Sequence, residues 1–190
     1  MNKNRIEAFS DGVMAIILTI MVLELKVPLD DNLSSVVTLM PMFLIYVLSF
    51  IYIGLYWNNH HNLFQLAEFV DGKIMWSNLY LLFWISLIPM STAWVGKYPY
   101  SEWPSAFYGV ILFAAGTAHY ILVHLLVKTH KCKSSVAMFI GNDWKGKVSL
   151  VLYLIGILTS FFNTIVAFFV YFIVTMIWII PDSRFERKHK

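Results

Sequence analysis

Arg5, Glu7, Ser10 and Asp11 lie close together immediately before the uncharged aliphatic run 13–23. Charged and hydroxyl side chains opening an apolar helix suit cation contact, proton exchange or hydrogen bonding to neighbouring helices. A carboxylate deep in a bilayer costs ~2.5 to 3.5 kcal/mol on insertion scales, so Asp11 has two readings. It sits at the inner interface and helps start the helix, or it belongs to a buried polar network. Donors for such a network are available in Tyr56-Trp57-Asn58-Asn59-His60-His61, and in Trp76 and Asn78, all at the same predicted level. Ser10 has no obvious base and oxyanion arrangement around it, so nucleophilic catalysis is not expected. His60 and His61 point ~100° apart on a helix, and no carboxylate or cysteine completes a ligand set, so no metal site is expected. His119 and His124 read as packed or interfacial histidines. Cys132, the single cysteine, lies among Lys128, Lys131 and Lys133 and reads as a free thiol.

The elements that position these residues are membrane helices. Of the 190 residues 59% are hydrophobic and 13% charged, against roughly 25% charged in soluble domains. The apolar residues form long charge-free blocks, which a helix with one wet face does not tolerate. About 20 residues cross ~30 Å of hydrocarbon, and six blocks approach or exceed that scale: 5–25, 34–57, 74–95, 105–127, 148–162 and 164–180. The last two divide one stretch that would overshoot the bilayer as a single helix, and Asn163 is the predicted hairpin. Pro41 is a predicted kink near the outer end of the second block. Met1 to Arg5 is followed by Glu7, Ser10 and Asp11 rather than a clean apolar core, so no cleavable signal peptide is expected.

Charge asymmetry orients the chain. With the N-terminus inside, Lys3, Arg5, Lys73, Lys128, Lys131, Lys133, Lys145, Lys147, Arg184, Arg187, Lys188 and Lys190 fall on the cytoplasmic side, leaving Lys26 and Lys97 outside. Trp94, Trp103, Trp144 and Trp178 mark span ends as interfacial anchors do. The expected fold is therefore all-α and polytopic: one unit of six transmembrane helices, N- and C-termini cytoplasmic, in the cell (plasma or inner) membrane. The net charge of +3 meets anionic headgroups and needs no nucleic acid.

Within the first helix, Ile20, Leu23, Phe9 and Gly12 lie within about 40° of Ile16, whereas Ser10 and Asp11 lie more than about 100° away. One face is an aliphatic stripe of Ile16, Ile20 and Leu23, and another carries short polar groups. The stripe alone meets lipid or another helix as readily as a pore.

Arg5-x-x-x-Phe9-Ser10-Asp11-Gly12 resembles the signature of the transmembrane protein 175 family, the endosomal and lysosomal potassium channels and their prokaryotic relatives. Trp57-Asn58-Asn59-His60-His61, and Trp76-Ser77-Asn78-Leu79 through Ser86-Leu87-Ile88-Pro89, are similar to the family's pattern. The resemblance implies a potassium-preferring cation channel in which first helices from four six-helix units surround an axis. This chain has one unit, so the resemblance implies a homotetramer. It also implies that Ile16, Ile20 and Leu23 form the aliphatic rings narrowing the pore, and that Arg5, Ser10 and Asp11 tie the pore helix to the second and third helices. The filter motif T-V-G-Y-G is lacking, so selection would arise at hydrophobic constrictions. Beyond Leu23, Glu24, Asp30 and Asp31 would form an outer vestibule that concentrates potassium and other monovalent cations. The alternative is a secondary or proton-coupled transporter using Asp11. Nothing at catalytic spacing supports an enzyme, and no cofactor is expected.

Overall fold

The computed structural model describes residues 3–28, 30–67, 69–129 and 144–179. Among them are eight helices and no strand: α1 (Lys3–Leu23), α2 (Leu33–Thr38), α3 (Met40–Leu66), α4 (Gly72–Ser86), α5 (Ile88–Lys97), α6 (Glu102–Thr129), α7 (Trp144–Ser160) and α8 (Thr164–Ile179). Their limits reflect local chemistry. Pro41 sits in the first turn of α3 and Pro89 in the first turn of α5, where a missing N–H leaves no helical bond unmade. The third apolar block, expected as one helix over 74–95, is thus two helices meeting at Leu87. The second, expected over 34–57, divides at Leu39 and then continues to Leu66. Asp71 caps α4, its Oδ1 accepting from the Ile74 amide at 2.9 Å. Asn163 caps α8, accepting from the amides of Ile165 and Val166 at 3.0 and 3.2 Å.

Four stretches among the described residues are long and apolar enough to cross a bilayer: Lys3–Leu23, Met40–Gln65, Gly72–Lys97 and Glu102–Thr129. Over their described residues α7 and α8 are shorter, 17 and 16 residues, or about 25 Å each at ~1.5 Å per residue. Cys132 and the basic tail from Arg184 lie outside the described residues.

α1 packs on α3, α4 and α5 through Ile6, Ser10, Met14, Ile17 and Met21, a stripe at helical spacing. The rest of the core joins α3 and α6 to the α7–α8 pair. Buried hydroxyls fasten it. Tyr108 donates to Ser49 at 2.9 Å, and Ser49 to Thr92 at 2.7 Å, since Thr92 spends its proton on the Ile88 carbonyl. Tyr52 donates to the Tyr171 carbonyl at 2.6 Å. The fully buried Tyr171 ring fits against Gly109 and Gly156, where any added Cβ would collide with it. Small residues allow the same close approach of helices throughout membrane bundles.

Candidate functional site

The polar residues of α1 face α3 and α4 and are joined to them by specific pairs. Ser10 is fully buried; its Oγ donates to the Ile6 carbonyl at 2.9 Å and accepts from Asn78 Nδ2 of α4 at 2.9 Å. Asn78 Oδ1 in turn accepts from His60 Nε2 of α3 at 2.8 Å. This amide orientation fixes the histidine: Nε2 carries the proton, and the buried Nδ1 has no partner among the described residues. The His60 ring stacks on Phe64 at 4.4 Å.

A second set of pairs runs up the side of α1. Trp57 Nε1 donates to Asp11 Oδ1 at 2.9 Å, and His61 Nδ1 meets Glu7 Oε1 at 2.8 Å. Glu7 and Asp11 are one helical turn apart, as are Trp57 and His61. Because α1 and α3 cross in opposite directions, the earlier residue of one pairs with the later residue of the other. Gln65 reaches the far nitrogen of His61 at 2.7 Å, and the Trp57 and His61 rings lie nearly parallel, 6.1 Å apart. Lys3 Nζ adds a tether, donating to the Ala67 carbonyl at 3.0 Å at the end of α3.

Ser10, Asp11, His60, His61 and Asn78 thus sit in one seat at the base of α1. Asp11 is bonded there by Trp57 rather than by either histidine. Arg5 and Trp76 are not in the seat: both are exposed, Trp76 at 69%, and neither bonds a described residue. The reason for Trp76 is geometric, since it precedes Asn78 by two residues and therefore points ~200° away from it on α4. The sequence places Glu7 in the polar opening of α1 and Trp57 among the available donors without pairing them, and it does not single out Gln65 or Lys3 for the site. The matching four-residue spacings Glu7/Asp11 and Trp57/His61/Gln65 are the signal that names most of them.

Ile16, Ile20 and Leu23 occupy the opposite face, exposed at 59%, 44% and 81%. Ile17 is instead packed into the core at 4% exposure. Gly12 and Phe9 extend the uncovered face downward, and a Cβ on Gly12 would meet open space. Beside the stripe, α1 and the α4–α5 junction border a groove of about 560 Å³ whose walls include Val13, Ile16, Ile20, Ser86, Pro89 and Met90. Glu24, Asp30 and Asp31 lie just beyond α1 and are exposed; Ser35 donates to Asp30 at 3.3 Å. His119 is packed between the edges of Tyr56 and Trp178, and His124 bonds the Tyr120 carbonyl at 2.8 Å.

The sequence and the fold have known counterparts. A family model described as endosomal/lysosomal potassium channel TMEM175 matches residues 5–89, the stretch that contains the seat and the stripe. A protein of Chryseobacterium sp. (strain P1-3) named a potassium channel is 46% identical over 100% of this chain and 99% of its own. One of Streptomyces collinus, also named a potassium channel, is 35% identical over 68% of this chain and 67% of its own. The crystal structure of a lysosomal potassium-selective channel TMEM175 homolog from Chamaesiphon minutus superposes with a TM-score of 0.81 at 29% identity, covering 93% of this chain and 96% of that one. Full-length identity to one relative, together with the shared fold, shows that this chain belongs to the TMEM175 family.

Proposed function

We propose that the chain is a potassium-preferring cation channel that works as a homotetramer of six-span units in the cell (plasma or inner) membrane, both termini cytoplasmic. The observation that carries the reading is the division of α1: every strong partner is on one side, and the aliphatic face of Ile16, Ile20 and Leu23 is left bare along the other. A helix clamped at its base by Asn78 and Trp57 has a fixed rotation, so the bare face has a fixed direction. Four such faces around an axis make apolar rings, the Ile16 ring nearest the cytoplasm, which act as gate and sieve. An ion passes only when the ring widens or the ion sheds water. Sodium holds its water more firmly than potassium, so the barrier falls harder on sodium. Glu24, Asp30 and Asp31 at the outer mouth, with the partly negative end of α1, raise the local cation concentration. The polar residues of the seat serve as structure rather than as a transport site: Asp11 and Ser10 are engaged with α3 and α4. Lipid surrounds the outer helices, and no cofactor takes part.

Purified protein in a planar bilayer under a potassium gradient tests this. Unitary currents reversing near the potassium equilibrium potential, without a co-ion, are expected. Saturable flux that requires a coupled proton would overturn the channel in favour of a carrier.

A further inference from the structure

The groove beside the stripe is a space that the pore reading does not use. It runs along α1 from Val13 to Glu24, about 16 Å at ~1.5 Å per residue, and is walled opposite by Ser86, Pro89, Met90 and Ala93. Its walls are apolar except for Ser86 and, at one end, Glu24. Glu24 also borders a smaller cavity with Met42, Tyr46 and Thr92, so this one residue lines both spaces. The Glu24 side chain forms no hydrogen bond or ion pair with another described residue. The groove lies beside the junction of α4 and α5 at Leu87, and Met90 on its wall is half-exposed.

We propose that this groove is a binding site for a cationic amphiphile: an alkyl tail lying against Val13, Ile16, Ile20 and Met90, with an ammonium head at Glu24. The ligand class is set by the unpaired carboxylate at the end of an apolar trough, which complements a cation on a hydrocarbon chain. A neutral lipid leaves Glu24 unused, and an anionic one opposes it. Ile16 and Ile20 belong to the groove and to the stripe alike, so an occupied groove restricts their movement and reduces current. The effect on current rests on the channel reading above; the binding does not.

Decyltrimethylammonium is the probe, with tetramethylammonium as the head alone and decyl sulfonate as the tail with the opposite charge. Binding is read without current in an Ala93→Cys variant on a Cys132→Ser background, as protection from maleimide labelling in vesicles. Decyltrimethylammonium is expected to slow labelling at least tenfold and decyl sulfonate not to. Glu24→Gln should remove that preference, and Met90→Trp, which fills the trough, should weaken protection by at least tenfold. In bilayers, half-block by decyltrimethylammonium, measured against each variant's own unblocked current, should shift in the same order. Equal protection by both decyl compounds, or protection unchanged in Met90→Trp, overturns the site. Ala93→Cys that resists maleimide with no amphiphile present also overturns it, because a second copy of the chain then fills the groove. Protection without any potassium current would uphold the site and reject the channel reading.

Discussion

Asn78 is the junction of the seat, and its removal has a cost that can be built up bond by bond. Its amide donates to Ser10 and accepts from His60, and all three residues are buried, with exposures of 1%, 0% and 0%. Ser10→Ala takes away only the acceptor for Asn78 Nδ2, because the Ser10 proton goes to the Ile6 carbonyl one turn back in the same helix. A stranded buried donor costs about 1 to 3 kcal/mol, and interhelical bonds within membranes average ~0.6 with a maximum near ~1.7, so about 1 to 2 kcal/mol is expected. Asn78→Leu strands more. The His60 Nε2–H loses its acceptor while Nδ1 already has no partner among the described residues, leaving an imidazole buried with both nitrogens bare. With the Ser10 Oγ, which loses the Asn78 donor, that makes two stranded groups, for a total of about 2 to 4 kcal/mol. Adding His60→Phe to Asn78→Leu removes the stranded ring and retains an aromatic partner for Phe64, so the double variant should recover about 1 to 2 kcal/mol. The measurement is reversible unfolding in mixed micelles of rising dodecyl sulfate, followed by tryptophan fluorescence. Equal losses for Ser10→Ala and Asn78→Leu, with Asn78 and His60 effects additive within ~0.5 kcal/mol, would refute this chain of bonds.

Shortening or wetting the stripe in Ile16→Ala or Ile16→Asn should raise flux and lower potassium preference together, measured as single-channel conductance and bi-ionic reversal potential; no change in either in folded protein removes α1 from the pore wall. Ile17→Ala, on the packed face, should leave selectivity unchanged while lowering unfolding stability by about 2 to 5 kcal/mol, the usual cost of truncating a core isoleucine. Neutralising Glu24, Asp30 and Asp31 together should lower conductance in dilute potassium and matter little at 1 M, where screening shortens to ~3 Å; a salt-independent loss would argue against surface electrostatics. Gly156→Ala places a methyl against the buried Tyr171 ring and should cost about 1 to 3 kcal/mol in the same unfolding assay.

The helical class and the members of the seat are legible in the sequence to different depths. Long uncharged blocks force helices, and Asn163 marks a break because its side chain caps the first turn of α8. The residue types of the seat are visible because polar groups stand out in an apolar chain, but their pairing requires two periodicities to be overlaid. Trp57 and His61 match Asp11 and Glu7 only when α1 and α3 are read in opposite directions, whereas Trp76 fails because two residues on a helix cannot share a face with Asn78. The length of α3 is hidden by its own polar end: Asn58 to Gln65 look like an interfacial tail, yet they continue the helix, with His61 paired to Glu7 of α1, His60 to Asn78 of α4, and Asn59 and Gln65 bonded within α3. Pro89 signals the division at Leu87, but the hydropathy of the block runs through it unbroken, since hydropathy does not register a missing N–H.

That division gives one crossing two mechanical allegiances. α4 is tied through Asn78 to the base of α1, whereas α5 is tied through Thr92 to Ser49 and so to α3 and Tyr108 of α6. Between them the two helices meet at Leu87, where Pro89 has no N–H with which to carry the α4 ladder on into α5. A substitution in the seat therefore registers in the α4 half of this crossing, and one in the Ser49–Thr92–Tyr108 hydroxyl chain in the α5 half, so a single span reports on two separate parts of the fold.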